Sequence, residues 1–230
     1  MSSEKTNDRR SLLPIANGVR LSIQPISPPV LPAVLELDNL CFGKLWTLEA
    51  YQREIDSPNS ELLGLFIEDI QDERDRETNR ENTADCRLPT ADLLAMGCFW
   101  AILDEAHITL LAVHPNYQGR GLGQAMLWGL MQAARDRALS RATLEVRASN
   151  QPAISLYSKF GFQLAGRRRR YYKDTNEDAL ILWQGRLQQS EFPARLAEWH
   201  DLASDRLRQS GFCLNVQKLK IARPESRNLS

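Results

Sequence analysis

The stretch Gln118-Gly119-Arg120-Gly121-Leu122-Gly123 gives up a side chain at every second position. Glycine is used where the backbone must take a positive φ or lie directly against another group. The loop fails three familiar phosphate templates. A dinucleotide fingerprint needs Gly or Ala five residues after Gly119, where Gln124 stands. A P-loop needs Gly-Lys-Ser/Thr, where the chain runs Gly123-Gln124-Ala125, and a kinase-type glycine loop fails at Gln124 as well. What remains is a Q-x-x-G-x-G loop between an apolar strand and a helix N-terminus, where free N–H groups and the helix dipole hold a phosphate or pyrophosphate. A tight turn without a ligand is the bland alternative, but glycine at three alternate positions exceeds what a turn requires. The second candidate is Glu145 in "LEVRASN". Strand alternation sets Leu144, Val146 and Ala148 on one face and Glu145, Arg147 and Ser149 on the other. Such a glutamate reads either as solvated surface or as a carboxylate set in a cleft.

The elements that must position these groups are legible in outline. "VRLSIQPI" (19–26) alternates as a strand, and "PPVLPAVLELDNLCF" suits a helix with prolines near its start. "WTLEAYQREI" (46–55) suits a second helix with Thr47 as N-cap, followed by the strand "ELLGLFIED". "LLAMGCFWAIL" (93–103), the polar turn "DEAH" and "ITLLAV" (108–113) make an antiparallel pair leading into the glycine loop. The helix after the loop runs to about Leu139, with Leu122, Met126 and Leu130 on one face. A strand at 142–148, a short helix at 152–160 ended by Gly161, and two closing strands around "KDTN" complete the body. Beyond residue 188, Phe192, Leu196, Trp199 and Ala203 recur at helical spacing between Pro193 and Gly211.

Composition narrows the function classes. Lys plus Arg equals Asp plus Glu at 29 each, so no global field points to nucleic acid or a membrane surface. Cys41, Cys86, Cys98 and Cys213 are scattered without metal-ligand spacing and read as reduced thiols, and no metal site is expected. His107, His114 and His200 are isolated and are assigned no chemistry. The polar N-terminus lacks a signal peptide and no apolar run reaches membrane-spanning length, which reads as a cytoplasmic protein. The expected organisation is a disordered lead (1–17), a domain over 18–187 and a partly helical extension over 188–230. Within the domain, "EDIQDERDRETNRENTAD" (68–85, to about 90) is too polar to order itself and reads as an inserted solvated loop; an acidic patch for a basic partner is the alternative. Arg167 to Arg170 read as a solvated strand face or, more sharply, as a phosphate or RNA contact. Tyr171 and Tyr172 read as packing of the strand pair or as the border of a peptide groove.

"AVHPNYQGRGLGQAML" resembles motif A of the GCN5-related N-acetyltransferases (GNAT). "LEVRASNQPAISLYSKFGF" with "RRRRYY" and "EDALIL" resembles the bacterial ribosomal-protein-alanine N-acetyltransferases within that superfamily. The resemblance is strong over 108–183, weaker over 19–103, and does not reach the acidic insertion or the segment beyond 188. It implies a mixed α/β GNAT fold whose mostly antiparallel sheet splays at the acetyl-coenzyme A site between 108–113 and 142–148. It implies acetyl transfer from acetyl-coenzyme A to the N-terminal alanine of a small-subunit ribosomal protein. It also places Gln118, Gly119, Arg120, Gly121, Leu122, Gly123 and Gln124 on the pyrophosphate, Leu111, Ala112 and Val113 on the pantetheine arm, and Asn150 on coenzyme A. An N-cap role for Asn150 is compatible with that contact. Glu145 falls on the general base and Tyr157 on the general acid; spacing alone makes Tyr157 a core aromatic beside Leu156. The amine attacks the acyl group directly, so no Ser–His or Cys–His pair is needed. Acetylation of a lysine or small-molecule amine, and a non-catalytic acyl-coenzyme A-binding module, are the alternatives.

Overall fold

Leu21 and Ile23 enter the core from β1 (Val19–Pro25), which lies one strand in from an edge of the sheet. The computed structural model describes residues 19–68 and 93–215; the expected lead at 1–17 and nearly all of the acidic insertion lie outside the described residues. After a 3-10 turn at Pro28–Val30, α1 (Leu31–Phe42) ends at Gly43 with φ 69°, and α2 (Leu48–Asp56) starts at Thr47, whose side chain accepts from the Ala50 N–H as expected. Next come β2 (Ser60–Ile67), β3 (Leu93–Ile102), β4 (Glu105–Val113), α3 (Leu122–Asp136), β5 (Arg141–Arg147) and α4 (Gln151–Lys159). The hairpin β6 (Gln163–Tyr172) and β7 (Glu177–Gln184) precedes α5 (Phe192–Gln209) and β8 (Phe212–Asn215). The strands form one eight-stranded sheet in the order β6-β7-β5-β4-β3-β2-β1-β8. Every pairing is antiparallel except β4 with β5 and β1 with β8.

Two apolar layers cover the sheet. Val34 and Leu37 of α1 and Tyr51 of α2 pack with Met96, Leu110 and Ala112. On the other layer, Met126 and Leu130 of α3 pack with Leu63, Leu65, Ile108, Leu144 and the aromatic residues of α5. Asp38 is buried inside the first layer, and its carboxylate accepts from the Tyr51 hydroxyl at 2.8 Å and the Leu45 N–H at 2.7 Å. Both oxygens are therefore satisfied, and α1 is tied to the start of α2.

Three local findings differ from the sequence expectation. The β3–β4 turn is only Leu103–Asp104, with Leu103 at φ 56°, so most of "DEAH" is strand. Register then slips between Cys98 and Phe99, which face Leu110 and Ile108 and leave Thr109 as a bulge. The bulge changes which face later residues serve: Ala106 and Ile108 lie in the α3 layer, whereas Leu110 and Ala112 lie in the α1 layer. Finally, β8 has no counterpart in the sequence reading.

Over its described part, the segment expected as a C-terminal extension is built into the same core. Phe192, Leu196, Trp199, Ala203 and Leu207 are all buried. Trp199 stacks on Phe160 at 4.9 Å, and the Trp128 indole N–H donates to the Leu196 carbonyl at 3.1 Å. The stripe read from the sequence thus packs on the domain itself. We expect Trp199→Ala to cost about 3–5 kcal/mol of folding free energy, as for other buried large-to-small changes. Urea unfolding checks this; an unchanged midpoint would make α5 peripheral to the core.

Candidate active site

The ladder between β4 and β5 runs from Glu105↔Arg141 to Ile108↔Leu144 and stops there. Both strands continue, β4 to Val113 along β3 and β5 to Arg147 along β7. The expected splay is therefore a wedge opening beyond Ile108 and Leu144. The His114 N–H donates to the Leu94 carbonyl at 2.8 Å, which fixes the alternation of hydrogen-bonding directions along β4. Ala112 is bonded toward β3, while the backbone groups of Leu111 and Val113 turn into the wedge. Of the three residues assigned to the pantetheine arm, two face the gap through their backbone and Ala112 does not.

The glycine loop closes the mouth of this wedge. The Gln118 side-chain amide donates to the Val113 carbonyl at 3.1 Å and fastens the loop to the end of β4. Gly119 and Gly121 take φ of 75° and 99°, and Gly121 is the N-cap of α3. The Gly121 carbonyl accepts from the N–H groups of Gln124 and Ala125, each at 3.0 Å. Among the described residues, the N–H groups of Gly119, Arg120, Gly121, Leu122 and Gly123 have no acceptor. These are the orphan donors of a helix start, gathered on one short loop. Gln124 Oε1 is buried without a partner one turn further on. Asn150 caps α4, its Oδ1 accepting from the Ala153 N–H at 3.2 Å. Arg120 lies over the Tyr117 ring, 5.3 Å from its centroid.

Against the back of the loop lies α5, which the sequence reading did not connect with it. The Arg206 guanidinium donates to the Gly119 carbonyl at 2.9 Å. A Cβ at Gly121 would sit 3.0 Å from Arg206 Cγ and 3.1 Å from the Leu207 backbone N. Part of the glycine requirement is thus the approach of this helix.

Glu145 stands at the point where β5 leaves β4, with a side chain only 12% exposed. Its Oε2 lies 3.3 Å from His107 Nε2 and its Oε1 lies 3.1 Å from Arg168 Nη2. The hydrogen bond with His107 holds the carboxyl below its ordinary pKa against partial burial, aided by the charges of His107 and Arg168. His107, given no role in the sequence reading, is a direct neighbour of the candidate base. A signal was present, because Glu105 and His107 form the polar face of β4's first half. The register that sets His107 beside Glu145 was not readable. Arg168 belongs to the basic run, in which Arg167 also pairs with Asp178 at 3.4 Å.

Tyr157 is buried in the α3 layer, 5.7 Å from Phe162 between ring centroids, on the same side of the sheet as Leu144 and Val146. Burial raises its pKa, and among the described residues no hydrogen bond reaches its hydroxyl. No hydrogen bond joins it to Glu145 either; Tyr157 packs with Leu144 and Val146, on the face of β5 opposite Glu145. Burial raises the pKa of Tyr172 as well, opposed by the charge of Arg147. Its ring is covered by Arg147 at 4.0 Å. Among the described residues, no cluster of His, Cys, Asp and Glu is arranged to hold a metal ion, and no helix is long and apolar enough to cross a membrane.

Residues 31–162 match the acetyltransferase (GNAT) family model, and the chain belongs to that family. Two relatives are more particular. A putative ribosomal protein bS18-alanine N-acetyltransferase of Bacillus subtilis is 44% identical over 84 residues, 36% of this chain and 56% of that protein. The ribosomal protein bS18-alanine N-acetyltransferase of Escherichia coli K12 is 47% identical over 83 residues, 35% of this chain and 56% of that protein. The match spans little more than half the length of these relatives. The crystal structure of the ribosomal-protein-S18-alanine N-acetyltransferase from Escherichia coli superposes with a TM-score of 0.56 at 28% identity, covering 72% of this chain and 93% of that one.

Gly121→Val should lower stability by about 1–3 kcal/mol, because a branched residue is strained at positive φ and would also press on α5. Thermal melting checks this; an unchanged melt would mean that neither the turn nor the contact with α5 constrains the position.

Proposed function

We propose that the protein transfers the acetyl group of acetyl-coenzyme A to the N-terminal α-amino group of a protein, with the N-terminal alanine of a small-subunit ribosomal protein as the favoured acceptor. The observation that carries this reading is the wedge between β4 and β5, whose mouth is lined by unpaired amides. Gly119 to Gly123 offer N–H groups, backed by the α3 dipole, to the pyrophosphate. The backbone of Leu111 and the N–H of Val113 offer strand-like hydrogen bonds to the pantetheine arm, the Val113 carbonyl being taken by Gln118. Asn150 helps to hold coenzyme A while capping α4. The names of the relatives support the choice of acceptor.

The wedge also supports the division of labour between Glu145 and Tyr157. Beyond Ile108 and Leu144 no ladder separates the two faces of the sheet, so a thioester in the gap is reachable from both. The acceptor ammonium, with a pKa of roughly 7.7–8.0, meets Glu145 on the polar face and loses its proton there. The neutral amine attacks the acyl carbon, the C–N bond forms as the C–S bond breaks, and the new amide nitrogen gives up its second proton to water. Tyr157 approaches from the apolar face, and burial keeps its phenol protonated so that it can supply the leaving thiolate, after which water returns a proton to the phenolate.

Glu145→Gln keeps the shape but cannot accept a proton, so kcat should fall by about 10²–10⁴ with acetyl-coenzyme A affinity nearly unchanged. Tyr157→Phe should also slow turnover, less severely if water replaces the phenol. The assay is thiol release from acetyl-coenzyme A with a peptide beginning with alanine, beside the same peptide N-terminally blocked and carrying a lysine. Near-normal kcat for Glu145→Gln would make that carboxylate structural, and preference for the blocked peptide would move the acceptor to a side-chain amine.

A further inference from the structure

The surroundings of His107 favour its charged form. The Thr143 hydroxyl lies 2.6 Å from Glu105 Oε1 and donates its only hydrogen to that carboxylate. His107 Nδ1 lies 3.1 Å from the same hydroxyl oxygen and must donate to it. His107 Nε2 faces the Glu145 carboxylate at 3.3 Å, and a bare nitrogen lone pair there would be repelled. These contacts favour a hydrogen on both ring nitrogens, the form in which His107 is an imidazolium between two carboxylates.

The groups around it come from four strands. Glu105 is on β4 with His107, and its carboxylate is also held by Arg141 Nε at 2.9 Å. Thr143 and Glu145 come from β5, and Arg168 from β6, reaching Glu145 from its other side. From β3 the Trp100 ring lies 6.4 Å away, its indole N–H bonded to Glu54 of α2 at 2.7 Å. The His107 side chain is 26% exposed, so its proton can exchange with solvent.

We propose that His107 is the positioning partner of Glu145 and the reservoir for the proton that the acceptor ammonium loses. This rests on the acetyl-transfer reading above. In the free protein the imidazolium orients the Glu145 carboxylate. When a cationic ammonium docks on that carboxylate, three cations compete for one anion: the ammonium, Arg168 and His107. His107 is the one of the protein's two that can discharge, and it releases its proton to solvent. The ammonium N–H then transfers its proton to Glu145. Glu145 hands a proton to the vacated Nε2, which leaves a neutral amine, a carboxylate and an imidazolium. The paired carboxylates hold the His107 pKa above the ordinary histidine value, the hydrogen bond from Glu145 contributing most. Productive encounter requires the neutral ring, so kcat/KM falls as pH drops through that titration.

The test has two arms. The first follows the His107 imidazole by NMR against pH in the free protein, its signal assigned by its loss in His107→Gln. It should titrate above the ordinary range and move down toward it in Glu145→Gln; titration at or below the ordinary value in the wild type overturns the proposal. The second measures kcat/KM against pH for wild type and a folded His107→Gln, which can still hydrogen-bond Glu145 but cannot titrate. The ascending limb should coincide with the His107 titration in wild type and shift in the variant to that of the substrate amine, with about a tenfold loss at neutral pH. An active enzyme whose limb is the same in both proteins overturns the relay alone. A wild type that releases no thiol with the alanine peptide takes down the acetyl-transfer reading, and the relay with it.

Discussion

The rest of the site depends on one interruption: β4 and β5 stop pairing after Ile108 and Leu144 while both strands carry on. Unpaired backbone groups inside a sheet are expensive unless something satisfies them. The separation holds here because each strand keeps its outer partner, β3 for β4 and β7 for β5. The bulge at Thr109 contributes at the same place. It re-aims Leu110 and Ala112 into the α1 layer and leaves Leu111 and Val113 against the α3 layer, so the diverging part of β4 is anchored on both faces. Held by flanks on both sides, the gap keeps its shape without anything bound in it.

The mouth of the slot is braced by a helix outside the stretch matched to the family. Residues 31–162 carry the family match, yet α5 lies at Phe192–Gln209 and touches the glycine loop through Arg206. Its apolar stripe fixes α5 to α3 and to Phe160, and that packing holds Arg206 where it can take the Gly119 carbonyl. With that carbonyl drawn backward, the loop's N–H groups remain for the other side. Gly121 accordingly answers two demands, a left-handed backbone and a closely approaching helix.

Much of this was legible in the sequence, and what was not has a common cause. Helices announced themselves through local signals: Thr47 before α2, the period of Phe192, Leu196, Trp199 and Ala203, and Gly161 after α4. The glycine spacing alone pointed to an anion loop, and the resemblance assigned Glu145 and Tyr157. The bulge was hidden because β4 buries every second residue throughout, a regular pattern even though its buried residues change layers at Thr109. β8 is a four-residue strand defined only by pairing with β1, far away in sequence. His107 and Arg206 gain meaning from partners 38 and 87 residues away, Glu145 and Gly119. Side-chain period reports which residues share a face; it does not report which strand lies alongside or in what register.

The same register poses the chemical problem of the site. A carboxylate held by a histidine and a guanidinium below its ordinary pKa is a weak proton acceptor, since both neighbours favour its charged form. Such a flank would be self-defeating if both cations were permanent. Arginine cannot discharge near neutrality, whereas histidine can. The arrival of a substrate cation therefore changes the site that receives it. In the proposed relay it displaces charge from His107, so the positive charge around Glu145 does not rise when the ammonium docks. Arg168 remains as the fixed charge that keeps the carboxylate ionised and aimed.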